Sequence, residues 1–198
     1  MEMVVLYARF AKVLLIERRI QMAKMFLMCG HPGSGKSTYA RELAHKNGYR
    51  YLSIDDMYAT FNGDPTSHDN KFDVWMTFFR QIHAAEVAGQ DVVVDTNAPT
   101  RGDREEFLNW FPDFEHHLIW IDATKELCLR NNQNRSRVIP EDHMKRIFNF
   151  FDRISSDEWY NYAAARSRWI SISRVENNEN KFEPRHTMFG SFPKDVIE

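Results

Sequence analysis

Short apolar segments alternate with helix-forming segments along most of the chain. Strand candidates lie at 25–29, 49–54, 92–94, 118–121 and 169–173. Helix-forming segments or apolar residues at helical spacing occupy 36–46, 72–89, 99–110, 125–133 and the region that begins at Pro140. Strands that alternate with helices in this way predict an α/β fold in which a parallel sheet is sandwiched between helices.

The two ends of the chain do not continue this alternation. Arg9 and Lys12 interrupt the apolar residues near the start, so no uncharged stretch approaches the roughly 20 residues that a membrane span requires. Residues 1–23 are either an amphipathic helix or, as we favour, an extension before the domain. Beyond Val175 the chain is rich in Asn, Pro and Gly. We therefore expect a domain over 24–175 and an irregular tail over 176–198.

Composition narrows the class of protein. The chain has 198 residues, 43% hydrophobic and 27% charged, which suits one globular domain. A formal net charge of −2 provides no global basic field, which disfavours a polybasic binder and means that any contact with nucleic acid or membrane must come from a local patch. Cys29 and Cys128 each lie in an apolar run and are far apart. They are typical of reduced core residues in a cytoplasmic protein rather than of a disulfide framework.

A glycine-rich segment between the first strand and the first helix carries the strongest chemical signal. The run from Gly30 to Ser37 reads Gly-His-Pro-Gly-Ser-Gly-Lys-Ser and fits the phosphate-loop pattern at every fixed position. Such a loop directs its backbone N–H groups at a phosphate chain. The pattern predicts ATP binding, with Lys36 on the β- and γ-phosphates and Ser37 on Mg²⁺. The alternative is a strand-to-helix turn with an incidental lysine. The candidate nucleotide-binding residues of this segment are Gly30, Pro32, Gly33, Ser34, Gly35, Lys36, Ser37 and Thr38.

A second motif suggests a guanine-nucleotide switch. Residues 70–73 read Asn-Lys-Phe-Asp and match the guanine-recognition pattern. The match precedes the third strand candidate and lies at the start of a helix, which is the wrong place for that motif. The chain is also too short for the coupling elements of an ATP-driven motor. A small kinase therefore accounts for the sequence better.

Carboxylates follow two of the predicted strands. Asp55 and Asp56 come after the second strand, and Asp95 ends the third. The carboxyl ends of parallel strands converge on one crevice, where Asp55 could accept a proton from an attacking hydroxyl. Asp95 would then face Mg²⁺ or the acceptor. The alternative is that these residues only cap the helices that follow.

An arginine-rich segment separates two predicted helices. Residues 130–137 include Arg130, Arg135 and Arg137 and are followed by Pro140. In a phosphoryl-transfer enzyme such a segment is a lid whose guanidinium groups meet the transferred phosphate. The alternative interpretation is a solvated basic surface.

The order and spacing of these motifs resemble the 5′-kinase domain of phage-type polynucleotide kinases, within the small AAA-type P-loop phosphotransferases. The likeness covers about 24–169 and rests on the phosphate loop, 55–56, 95–97 and the lid. It implies an adenylate-kinase-like fold with a short lid and transfer of the ATP γ-phosphate to a 5′-hydroxyl of a nucleic acid.

The resemblance also implies roles for individual residues. Asp55 would be the general base, Thr96 would lie near the β-phosphate, and a lid arginine, either Arg130 or Arg135, would act in the transition state. The implied acceptor contacts are Asp56, Asp95 and Asn97. Where the family has an arginine three residues after the base, this chain has Tyr58. Related kinases phosphorylate small molecules, so a small-molecule acceptor is an alternative, as is a non-kinase ATP-binding module.

Overall fold

The computed structural model describes residues 22–63, 69–135, 138–161, 166–167, 169–179 and 181–190. The predicted extension over 1–23 lies outside these residues except for Met22 and Ala23, so its role stays a prediction. Among the described residues, no helix combines the length and apolarity needed to cross a bilayer.

Eight strands and seven helices make up the described chain. The strands are β1 Lys24–Cys29, β2 Arg50–Ser53, β3 Val92–Asp95, β4 Glu115–Asp122, β5 Tyr160–Asn161, β6 Arg166–Ser167, β7 Ser171–Asn178 and β8 Lys181–Gly190. The helices are α1 Lys36–Asn47, α2 Ile54–Asn62, α3 Lys71–Val87, α4 Arg101–Trp110, α5 Lys125–Gln133, α6 Glu141–Phe150 and α7 Ser156–Trp159.

Six of the strands form the central sheet, in the order β2-β3-β1-β4-β7-β8. The first five are parallel, and β8 runs antiparallel to β7. Met25 to Cys29 and Val92 to Val94 are fully buried, as expected for strands that are covered on both faces. The predicted parallel α/β fold is confirmed. Strands β5 and β6 form a separate two-stranded sheet.

Helices cover both faces of the sheet. Alternate residues of β1 point to opposite sides, so Leu27 packs with Phe78 of α3, and Phe26 packs with Leu43 of α1. Helices α2 and α4 add to the first of these two core clusters. The resulting layers leave the carboxyl ends of β1, β2 and β3 open at one edge, where the candidate site lies.

The chain after Val175 differs from the irregular tail that the sequence predicts. Strand β7 continues to Asn178, and β8 pairs with it over 181–190. Glu179, which follows β7, has a φ of 54°, a left-handed conformation that is common in the turns of hairpins. Pro184 is tolerated because β8 lies at the edge of the sheet. Turn-forming residues are equally compatible with a hairpin and with irregular structure, so they do not predict a strand by themselves.

Both cysteines are buried and free, as the sequence predicts. Burial raises the pKa of each thiol to about 11. The thiols therefore stay protonated at neutral pH, which suits core packing rather than nucleophilic or metal-binding chemistry.

Candidate active site

A cleft of about 530 Å³ opens at the carboxyl ends of β1, β2 and β3. Most residues that the sequence singles out line it together. They are Pro32, Gly33, Gly35, Lys36, Ser37, Thr38, Asp55, Asp95, Thr96, Asn97 and Arg135. Gly30, Ser34, Asp56 and Arg130 do not line the cleft.

The glycines of the phosphate loop have backbone geometry that other residues rarely adopt. The φ angles are 139° at Gly30, 80° at Gly33 and 95° at Gly35. A Cβ atom at Gly30 would lie 2.5 Å from the Ile121 carbonyl oxygen, and one at Gly33 would lie 2.3 Å from that of Cys128. Glycine is therefore required at these positions both for conformation and for space.

Lys36 is buried at the first position of α1. Its Nζ donates to the carbonyl oxygen of His31 at 2.9 Å, so the ammonium group lies within the loop. Burial lowers the pKa of Lys36, while the nearby Asp95 carboxylate opposes this shift. A buried ammonium group beside backbone N–H groups is suited to binding the phosphates of a nucleotide.

The second strand ends at Ser53, and the aspartates that follow lie in the first turn of α2. Ser53 Oγ accepts the backbone N–H of Asp56 at 3.2 Å and so provides the N-cap. Capping therefore does not explain Asp55 or Asp56. Asp55 faces the cleft, whereas Asp56 lies outside it and pairs with Arg41 at 3.5 Å.

Asp95 ends β3 and is only 5% exposed. Tyr51 Oη donates to its Oδ2 at 2.7 Å. The cap of α4 is Thr100, which forms a capping box with Asp103, so Asp95 does not cap that helix. The structure thus leaves the Asp95 carboxylate facing the same cleft as the Ser37 hydroxyl.

These two oxygen donors fit Mg²⁺. Mg²⁺ prefers oxygen ligands and is usually held by one or two side chains together with substrate phosphates. Over the described ranges, no group of three or more His, Cys, Asp or Glu side chains could hold a metal by itself. Ser37 and Asp95 would therefore need the phosphates of a nucleotide to complete the coordination.

The two lid arginines differ in position. Arg135 lines the cleft, whereas Arg130 forms an ion pair with Glu179 at the surface. Asn132 bridges the lid, because its side chain donates to the Ile139 carbonyl at 2.8 Å and accepts the Ile139 N–H at 3.0 Å. The position of Arg130 fits a solvated basic surface, whereas the position of Arg135 fits a lid arginine that faces the cleft.

Several cleft residues were not found from the sequence. Ile139, His143 and Ile147 line one side. His143 and Ile147 lie four residues apart on one face of α6, and this spacing was a usable signal. Ile139 precedes the helix. Asn131 also lines the cleft, and its Nδ2 donates to the Gly33 carbonyl at 2.9 Å. Ser53 contributes from the end of β2. Ser53 and Asp56 fit the Ser-x-x-Asp pattern of a helix start, whereas no local motif marks Asn131.

The C-terminal hairpin also supports the phosphate loop. Asn177 Nδ2 donates to the Ser34 carbonyl at 2.7 Å. Asn177 and Phe182 lie so close to Gly35 that a Cβ atom there would be 2.8 Å and 2.9 Å from them. The C-terminal hairpin, which the sequence predicts to be irregular, therefore packs against the phosphate loop and stabilises it.

Comparison with known proteins agrees with this geometry. A family model described as an AAA domain matches residues 25–154, which is more than half of the chain. The chain belongs to the AAA domain family. The family match, the parallel sheet and the phosphate loop together identify this AAA domain as a P-loop domain of the kinase type.

Individual relatives of this AAA domain are kinases by name. A protein named "Putative adenylate kinase" from Thermococcus kodakarensis is 26% identical over 85% of this chain and 78% of its own length. The solved structure of a sugar kinase from Janibacter sp. HTCC2649 matches with a TM-score of 0.53 and 17% identity, over 68% of this chain and 81% of that chain.

A further solved structure is the Pnkp1/Rnl/Hen1 RNA repair complex. It matches with a TM-score of 0.59 and 16% identity, over 65% of this chain and 44% of that chain. At this identity the likeness shows a shared fold.

Proposed function

We propose that this protein is an ATP-dependent kinase that transfers the γ-phosphate of ATP to a hydroxyl group. The observation that carries the proposal is the shared cleft, onto which the phosphate loop and the Asp55 carboxylate both open. A group that binds phosphates and a base that takes a proton from the attacking hydroxyl are the parts that such a transfer needs.

Each side chain has a separate part in the proposed reaction. Lys36 binds the phosphates of ATP. Ser37 and Asp95 would hold Mg²⁺, which when bound supplies positive charge beside the phosphates. Asp55 accepts the hydroxyl proton while the hydroxyl oxygen bonds to the γ-phosphorus and ADP leaves. Arg135 donates to the phosphoryl oxygens as the transition state forms.

For the acceptor, we propose a small hydroxylated molecule. Ile54, Ile139 and Ile147 give the cleft an apolar side that suits the carbon face of such a molecule. Within the described part of the chain, Lys36 and Arg135 are the lysine and arginine residues that line the cleft. Polynucleotides are bound largely through several cationic contacts with their phosphates.

A polynucleotide 5′-hydroxyl is the second candidate acceptor. The order and spacing of the motifs between Gly30 and Pro140 favour it. Tyr58 weighs against it, because this residue replaces the expected substrate-contacting arginine and is only 4% exposed, within the core.

Incubation with γ-labelled ATP tests the proposal. The acceptors are sugars and polyols, nucleosides, nucleoside monophosphates, 5′-hydroxyl DNA and 5′-hydroxyl RNA. Label in a small acceptor supports the first candidate, and label in the polynucleotides alone supports the second. Label that appears only as inorganic phosphate, with every acceptor, would contradict kinase function and favour an ATPase.

A further inference from the structure

Two hydrogen bonds made by β2 reach the two carboxylate regions of the cleft. At the first turn of α2, the Asp56 N–H donates to Ser53 Oγ at 3.2 Å. At the end of β3, the Tyr51 phenol donates to Asp95 Oδ2 at 2.7 Å. Strand β2 therefore contacts both the helix that carries Asp55 and the strand that ends at Asp95.

The sheet sets the geometry of these two hydrogen bonds. Ser53 is in register with Asp95 on the neighbouring parallel strand, and Tyr51 lies two residues earlier on β2. Residues two apart on a strand point to the same face, so the phenol and the serine hydroxyl lie on one side of the sheet. The Arg41 guanidinium lies over the Tyr51 ring at 5.2 Å from its centroid and packs it in place.

The direction of the bond between Tyr51 and Asp95 follows from the two groups. A carboxylate oxygen only accepts, so the phenol O–H is the donor and points to Asp95 Oδ2. One carboxylate oxygen is occupied in this way, and the orientation of the carboxylate relative to the cleft is restricted.

We propose that Tyr51 is a positioning residue that orients the Asp95 carboxylate towards the metal ion of bound Mg²⁺·ATP. Ser53 is in register with Asp95 and caps α2, so β2 provides both the phenol on Asp95 and the cap of the helix that carries Asp55. The inference rests on the proposed function only in its requirement for Mg²⁺·ATP, and it does not depend on the acceptor.

The test measures how Mg²⁺ strengthens the stabilisation of the protein by ATP. Wild type, Tyr51→Phe and Tyr49→Phe are melted with saturating ATP over a range of Mg²⁺ concentrations, and with ATP and EDTA. Tyr49→Phe is the matched control, because it removes a phenol just before β2 from a ring that stacks on Phe26 outside the cleft. Tyr51→Phe keeps the ring and removes only the donor.

The Tyr51→Phe protein is expected to need about tenfold more Mg²⁺ for half of the full shift, as is typical when a group that orients a metal ligand is lost. Its shift with ATP and EDTA stays at the wild-type value. In an Asp95→Ala background, Tyr51→Phe is expected to produce no further change in the Mg²⁺ concentration needed for half of the full shift.

Two results would overturn the inference. One is a Mg²⁺ requirement in Tyr51→Phe equal to that of Tyr49→Phe. The other is an undiminished effect of Tyr51→Phe in the Asp95→Ala background. If the Asp95→Ala protein does not fold, the comparison of the two phenol variants alone decides. A Mg²⁺ effect without transfer to any acceptor would leave this inference standing and contradict kinase function.

Discussion

Gly33 lies against the backbone of α5, at the point where the phosphate loop turns. Its φ is 80°, and a Cβ atom would lie 2.3 Å from the Cys128 carbonyl oxygen. Gly63 offers a matched comparison, because it has a φ of 66° but, among the described residues beyond its chain neighbours, no atom lies within 4 Å of its Cβ position. Substituting each of these two glycines by alanine therefore separates the free-energy cost of the backbone conformation from that of a steric clash.

We predict that Gly33→Ala destabilises the protein by about 1–3 kcal/mol more than Gly63→Ala does, because backbone atoms must move to accept the methyl group. Gly63→Ala has only the conformational cost of about 1–2 kcal/mol. Urea unfolding of both variants measures the difference. Equal losses of unfolding free energy would show that α5 does not confine the loop.

Single residues differ in how far the sequence reveals them. Gly30 to Ser37 could be predicted because phosphate binding needs these residue types at adjacent positions. Tyr51 could not, because its role arises from a contact with Asp95 on a neighbouring strand. Asp55 was found by its position after a strand. The structure was needed to decide that Asp55 does not cap α2, because it shows that Ser53 is the N-cap.

The C-terminal hairpin is the element on which the sequence was least informative. Its asparagines predict turns, and one of them, Asn177, is instead buried beneath the phosphate loop. Helical and strand periodicity do not report such a contact, because Asn177 and Ser34 are distant in the chain. The parallel strands and their helices were predictable because their apolar runs are continuous and their ends carry turn residues.

We predict that Asn177→Ala weakens both stability and ATP binding. The substitution removes the donor to the Ser34 carbonyl, and an unsatisfied buried group costs about 1–3 kcal/mol. Asn178→Ala, at the exposed end of the same strand, is the control. Urea unfolding and ATP titration measure the two effects. If Asn177→Ala binds ATP as tightly as Asn178→Ala does, the hairpin has no part in shaping the loop.

At the scale of the whole molecule, two buried histidines make stability depend on pH. His116 and His117 are the second and third residues of β4, and burial lowers the pKa of each from 6.5 to about 4. The unfolded chain therefore binds protons between these pH values while the native protein does not. Lowering the pH through this range favours the unfolded state.

We predict that the unfolding free energy falls as the pH is lowered from 7 to 5. The slope approaches about 1.4 kcal/mol per pH unit for each histidine. His117→Gln should reduce the slope, and His45→Gln, which changes an exposed histidine, should not. Urea unfolding at several pH values measures this. A slope in His117→Gln equal to that of wild type would contradict the assignment.

The central claim is that Asp55 takes the proton of the acceptor hydroxyl, and it is tested by labelled phosphate transfer in Asp55→Asn. Asp73→Asn is the matched control, because Asp73 also lies in the first turn of a helix but does not line the cleft. We predict that Asp55→Asn lowers transfer by at least about 10², with ATP-induced stabilisation and melting temperature close to those of wild type. Asp73→Asn should transfer phosphate as wild type does. Transfer by Asp55→Asn at the rate of Asp73→Asn would contradict the account.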